Sequence, residues 1–265
     1  MYSISQLARK YIRYYFTAAN GKGHGVHSPF VFDFIKFIKN DRQQYESSAP
    51  IEQCRKRLLR NSQLIEVQDF GAGSTVIKTK QRRVDAIAAS SLKPTKFGQL
   101  FYRIVRSYRP ATIIELGTSF GISTAYMATA NSKAHVYSLE GAPAIAEIAQ
   151  QNFDLLGIQN IQLIQGDFAH TLPALLSSLD KVDLAYVDGN HRKIPTLDYF
   201  TQLLSKSHEN SIIIFDDIHW SAEMETAWEI IKAQETVTLS IDLFFIGIVF
   251  FKKDFKVKQH FILRF

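Results

Sequence analysis

Apolar residues recur at helical spacing near the start of the chain, at Ile4, Leu7, Ala8, Tyr11, Ile12 and Tyr15. Arg9, Lys10 and Arg13 fall on other faces, so residues 4–19 are predicted to form an amphipathic helix. Packing against the protein body is the expected use of its apolar face; a membrane surface is the alternative. A Gly/His segment, GKGHGVHSP, follows, and then an apolar helix over residues 30–38, with Pro29 in its first turn and Ser28 as N-cap. Residues 51–60 read as a basic helix and 64–70 as a short alternating strand before Gly71 and Gly73. From Arg109 the pattern changes. Apolar runs over 111–116, 134–140, 161–167, 182–188 and 211–217 read as buried strands. Helical patterns over 122–130, 143–156, 196–204 and 223–233 separate most of them, and two strands, 238–245 and 247–253, close the pattern as a hairpin.

Strands that alternate with helices predict an α/β fold: a doubly wound, mostly parallel, seven-stranded sheet with a largely helical N-terminal extension. The terminal hairpin makes one edge antiparallel. The expected division is residues 1–109 as a basic cap and 110–265 as the domain that carries the ligand at the carboxyl ends of its strands.

Composition narrows the class. Apolar residues are 46% and charged residues 21% of the 265, which excludes a disordered chain, a collagen and a disulfide-stapled miniprotein. The single cysteine, Cys54, allows neither an internal disulfide nor a thiolate metal cluster, so a reducing compartment is expected. The longest apolar run, residues 243–251, is nine residues, against the ~20 of a membrane helix. No continuous apolar segment of signal-peptide type opens the sequence, and a soluble cytoplasmic protein is the expectation. Charge is uneven: residues 1–109 hold 20 Lys/Arg and 7 Asp/Glu, a net of +13, whereas the rest carries a net of −7. That asymmetry suits an acidic acceptor near the N-terminal part, or a solvated helical surface. The basic residues are scattered, so nucleic acid is the lesser reading.

Chemistry concentrates at the strand ends. Glu115-Leu-Gly117-Thr118-Ser119-Phe-Gly121-Ile-Ser123 directly follows a strand. Glycine lets backbone pass close to a ligand, and the helix start that follows presents N–H groups to a carboxylate. Glu140 closes the next strand, 25 residues after Glu115, where a carboxylate can accept ribose hydroxyls. Gly166-Asp167-Phe168 closes the third and Asp188 the fourth. Each acid could instead cap a helix. In this order the motifs resemble the class I S-adenosylmethionine-dependent methyltransferases. The resemblance implies that the 115–123 loop and Glu115 meet the methionine end of the cofactor. It also implies that Glu140 takes the ribose, and that Asp167 and Phe168 take the adenine.

Within that class the chain resembles metal-dependent O-methyltransferases of the catechol and caffeoyl-CoA kind. Lys96-Phe-Gly-Gln99-Leu100 looks like that group's entry segment. Asp188-Gly-Asn190-His191 stands where the group has an aspartate and, three residues on, a catalytic lysine. Asp216-Asp217-Ile-His219-Trp220 stands where it has Asp-Asn and then Trp. The resemblance implies Asp188, Asp216 and Asp217 as ligands of Mg2+ or another divalent cation, with His191 in the lysine's place as general base and His219 as a second candidate. Asp217 for Asn and His191 for Lys depart from the pattern. The expected activity is methyl transfer to an oxygen of a small-molecule acceptor.

Two rivals stand beside it. A nicotinamide-binding oxidoreductase also needs a glycine turn and an acid after the second strand, but the G-x-G-x-x-G spacing is absent. A non-catalytic or RNA-binding module on the same fold would use the basic half. The strand-end acids argue against lost cofactor binding, and Asp188-Gly-Asn-His is not the Asn/Asp-Pro-Pro-aromatic motif of adenine N-methylation. DFGAGS (69–74) reads as a tight turn that could fold over a ligand, and His24 and His27 as part of a structural or lid loop. HGVHSPF through DDIHW also resembles a group of poorly characterised bacterial methyltransferase-like proteins.

Overall fold

A computed structural model describes residues 1–19, 27–43, 45–67 and 81–265. His24 and the 69–74 loop lie outside the described residues. The helices in chain order are α1 (Ile4–Thr17), α2 (Pro29–Asp33), α3 (Ser48–Leu58), α4 (Val84–Ser91), α5 (Thr95–Tyr108), α6 (Ile122–Ala130), α7 (Pro143–Leu155), α8 (Phe168–Ser178), α9 (Lys193–Leu204) and α10 (Ala222–Ala233). The strands are β1 (Leu64–Glu66), β2 (Gln81–Arg83), β3 (Thr112–Leu116), β4 (His135–Glu140), β5 (Ile161–Gln165), β6 (Leu184–Val187), β7 (Ile212–Asp216), β8 (Leu239–Asp242), β9 (Ile246–Phe250) and β10 (Gln259–Ile262). The fold is α/β with mostly parallel strands, as the alternating pattern predicts. Two compact units divide it: residues 42–178, and residues 1–41 together with 179–265.

In the 42–178 unit, β3, β4 and β5 run parallel side by side, with Glu115 opposite Ser138 and Glu140 opposite Gln165. β3 is buried on both faces, which is why it reads as a continuous apolar run. A core of Ile51, Cys54, Leu58, Ile87, Phe120, Ile122, Ala125 and Tyr126 joins α3, α4 and α6, so the basic α3 helix has a structural inner face. Arg109, in the left-handed region at φ 49°, ends α5 and donates its N–H to the Val105 carbonyl at 2.8 Å. β1 and β2 form a separate antiparallel pair.

In the other unit the strand order is β10-β8-β9-β7-β6. β6 and β7 are parallel; β9 is antiparallel to both β7 and β8, so the expected hairpin forms, but β10 rather than the hairpin makes the edge. Besides the short strand at 64–70, the sequence pattern predicts seven strands from Arg109 onward, which are β3–β9. β10 is the addition: four residues paired in parallel with β8, alternately half-buried and exposed, in a lysine-rich stretch that carries no strand signal. Ser3 and Gln6 form a reciprocal capping box at the start of α1, at 3.2 Å and 2.9 Å. Pro29 opens α2, but the Ser28 side chain makes no cap hydrogen bond. Residues 34–39 continue that helix with a wider, π-helical turn.

Candidate active site

The loop after β3 is fixed from several sides. Gly117, Ser119 and Gly121 have φ of 102°, 48° and 80°, so the chain reverses through the left-handed region before α6 begins. The N–H groups of Gly117 and Thr118 donate to the Leu139 carbonyl at 2.9 and 3.1 Å, and Gly121 donates to Thr118 at 2.9 Å. Thr118 is buried and its hydroxyl lies 2.6 Å from that of Ser138. Asn152 on α7 donates to the Phe120 carbonyl at 2.9 Å, and the Phe153 ring covers Gly121.

Glu115 is fully buried. Its carboxylate accepts from Ser123 at 2.6 Å, Ser138 at 2.6 Å and Thr124, so one side chain ties β3 to β4 and to the first turn of α6. Burial pushes its carboxyl up to about 7 against the pull of the three hydroxyls, and the Glu140 charge adds to the rise. Glu140, at the end of β4, accepts the Ser119 N–H at 2.9 Å and the Ala142 N–H at 3.0 Å. One carboxylate thereby joins the glycine loop to the next strand end. Asp167 is exposed after β5 and accepts the Ala169 N–H at 2.9 Å; Phe168 beside it is half-buried and opens α8. The structure thus brings Glu115, Glu140 and the loop into one connected assembly and sets Asp167 and Phe168 at the adjoining strand end.

A second group lies in the other unit. The β6–β7 register pairs Val187 with Phe215, which places Asp188 next to Asp216 where the two strands end. A carboxylate oxygen of each and a ring nitrogen of His191 all lie within 4.8 Å of one another. Asp216 is 1% exposed. Asp188 accepts from the Tyr186 hydroxyl at 2.9 Å and stands 3.4 Å from His191 Nε2. Asn190 and His191 reach this geometry at φ of 69° and 34°. Two carboxylates and an imidazole at that spacing fit a small divalent cation. Asp217, at φ 51°, turns out of the strand and lies outside the trio.

His219 is placed differently. Its Nδ1 is 2.9 Å from Glu225 and its Nε2 2.9 Å from Asp242, and Phe244 packs on the ring at 5.1 Å between centroids. Burial pulls its pKa down, but hydrogen bonds and charge from Asp242 and Glu225 outweigh that, and the net shift is upward. Glu225 also takes the Tyr2 hydroxyl at 2.7 Å and Lys10 at 2.9 Å. His219 therefore sits in a network that fastens α1, with both nitrogens engaged. Sequence spacing showed neither this network nor the hydroxyl shell of Glu115.

Residues 114–218 match a family described as a methyltransferase domain. That interval is 105 of the 265 residues. Of its relatives, a catechol O-methyltransferase of Niastella koreensis is 30% identical over 133 residues, 49% of this chain and 59% of the relative. The catechol O-methyltransferase of Mus musculus is 30% identical over 95 residues, 34% and 36% of the two chains. The chain thus spans less than two thirds of these curated relatives. Among solved structures, an O-methyltransferase from Bacillus cereus in complex with S-adenosylhomocysteine superposes with a TM-score of 0.57 at 18% identity, covering 81% of this chain and 95% of that one. A methyltransferase of Podospora anserina bound to the same product gives 0.60 at 15% identity, over 85% and 97%. These likenesses concern the fold. The matched interval of the methyltransferase domain contains Glu115, Glu140, Asp167, Asp188, Asp216 and Asp217, and ends just before His219.

Proposed function

We propose that the protein transfers a methyl group from S-adenosylmethionine to an oxygen of a small-molecule acceptor. The observation that carries this reading is the family match, which spans all six strand-end carboxylates. Those residues fit the cofactor. The first turn of α6 offers backbone N–H groups to its carboxylate, on a loop whose own N–H groups are spent on Leu139, Glu140 and Thr118. Buried Glu115 braces the first turn of α6 and, once ionised above about pH 7, places negative charge near the ammonium. Glu140 accepts from the ribose hydroxyls, Asp167 from the adenine amino group, and Phe168 packs against the ring. The methyltransferase relatives support this over the nicotinamide and non-catalytic alternatives.

Asp188, Asp216 and His191 would hold Mg2+ or a similar cation, and when bound it would supply positive charge that lowers the pKa of an acceptor hydroxyl. His191 also has the position to take the acceptor's proton if it leaves the trio. We assign His219 to holding α1 rather than to proton transfer. The names of the curated relatives point to an acceptor with a catechol-like pair of oxygens. The net charge of +13 over residues 1–109 suits an acidic substituent on it. Among the described residues no helix is long and apolar enough to cross a membrane. The lone cysteine, Cys54, is buried, which suits a reducing, cytoplasmic setting.

Titration calorimetry of S-adenosylhomocysteine tests the cofactor. Micromolar binding is expected, weakened at least tenfold (~1.4 kcal/mol) in Glu140→Ala. No binding by the unmodified protein would overturn the reading, and unchanged affinity in the variant would remove Glu140 from the site. Turnover of a catechol should stop in excess chelator and return on adding Mg2+; full activity under chelation would remove the cation.

A further inference from the structure

Helix α1 carries two apolar faces and uses one. Successive residues of an α-helix turn by about 100°, so Leu7, Tyr11, Tyr14 and Ala18 share a narrow arc. That arc packs on the β8–β9 turn: Tyr14 and Ala18 are buried with Phe244, and Leu7 and Tyr11 lie against them. Tyr11 meets the Phe244 ring edge-on at 5.1 Å. Ile4, Ala8, Ile12, Tyr15 and Phe16 occupy a neighbouring arc of about 120°. It faces water: Ile4 is 91% exposed, Ile12 57%, Tyr15 46% and Phe16 75%. One helix presenting four large apolar side chains in a single stripe is unusual on a soluble surface and marks an interaction face.

The stripe is held rigidly. At one end the Tyr2 N–H donates to the Trp220 carbonyl at 3.1 Å, and at the other the Ala19 N–H donates to Ile262 at 2.9 Å. Between them, Lys10 and Tyr2 bind Glu225, and the Tyr14 hydroxyl donates to the Leu263 carbonyl. Its border is cationic. Arg9 and Arg13 are exposed along one flank, Arg264 lies over the Tyr15 ring at 4.5 Å, and α1 contains no carboxylate.

We propose that α1 docks the protein on an anionic lipid surface, its stripe entering the headgroup layer and its arginines meeting lipid phosphates. An apolar band flanked by cations, with Tyr15 and Phe16 at one end, is the pattern of a helix that lies in the interfacial plane. Charge complementarity favours lipid over a second copy of the chain. A twofold pairing through this stripe would bring Arg9 and Arg13 of both copies together with no carboxylate on the helix to answer them. The proposal does not rest on the methyl-transfer reading, because none of its residues is among the strand-end carboxylates or the 115–123 loop.

Co-sedimentation of the full chain with phosphatidylcholine vesicles, and with vesicles containing equal parts phosphatidylglycerol, tests it. Binding is expected to the anionic vesicles only. Ile12→Asp with Phe16→Asp should lower the partition coefficient at least tenfold, and Arg9→Gln with Arg13→Gln by roughly tenfold. All four sites are exposed, so the variants should keep the parent's circular dichroism spectrum and S-adenosylhomocysteine affinity. The proposal fails if anionic vesicles leave the protein in solution, or if the variants bind them as the parent does. It fails equally if light scattering shows a dimer that Ile12→Asp with Phe16→Asp dissociates while vesicles have no effect.

Discussion

Replacing Gly121 with alanine is expected to destabilise the protein by about 3 kcal/mol and to weaken S-adenosylhomocysteine binding along with it. Two costs coincide. The residue stands at φ 80°, where a side chain is strained, and a Cβ built there would fall on the Phe153 ring, well inside contact distance. Phe153 is 1% exposed, so it has nowhere to turn without moving α7. That helix also holds the loop through Asn152 and the Phe120 carbonyl. Strain at Gly121 therefore passes into the segment proposed to meet the cofactor. Gly157→Ala supplies the control: it shares a positive φ of 66° but has open space around the new methyl, so it should lose only about 1 kcal/mol. Urea unfolding of the three proteins separates the terms. Equal losses in the two variants would show that the Phe153 contact does not constrain the loop.

This contrast shows what the sequence could and could not convey. The turn after β3 was legible because a buried apolar strand, a glycine-rich segment and a helical period follow one another without interruption. That Phe153 is what makes Gly121 irreplaceable was not, because the contact joins residues 32 apart. The trio of Asp188, His191 and Asp216 divides similarly. Asp188 and Asp216 are marked by their place at strand ends, and the β6–β7 register brings them together. Adjacent Asp216 and Asp217 look equivalent in sequence, yet only the first stays on the strand; the second turns through φ 51° and leaves the group. His219 shows the opposite limit. Its place in the Asp-Asp-Ile-His-Trp motif offers it as a candidate base, whereas its contacts are with Glu225 on α10 and Asp242 on β8. β10 escaped notice because four edge residues gain their pairing from β8 and bury little apolar surface of their own.

Glu115 leads to the second large effect, in the dependence of stability on pH. Its ordinary value is 4.5 and in the folded protein it is pushed up to about 7. Between those values the folded state retains a proton that the unfolded chain has released, so stability falls as pH rises through this window. The gap corresponds to about 3 kcal/mol, constant above pH 7 and absent below 4.5. His219 bends the curve in the same direction, because its raised value makes its contribution full below 6.5 and lost as pH climbs through the folded value. A comparison with Glu115→Gln isolates the carboxyl. The variant keeps a group of the same shape that Ser123, Ser138 and Thr124 can still bond by turning their hydroxyls. Unfolding free energies of the two proteins, measured from acid to mildly alkaline pH, should diverge through the window, with the parent losing about 3 kcal/mol more than the variant. Parallel curves would mean that the three hydroxyls outweigh burial and keep the carboxylate ionised throughout. In that case its negative charge would be present throughout the pH range in which the proposed cofactor is to bind.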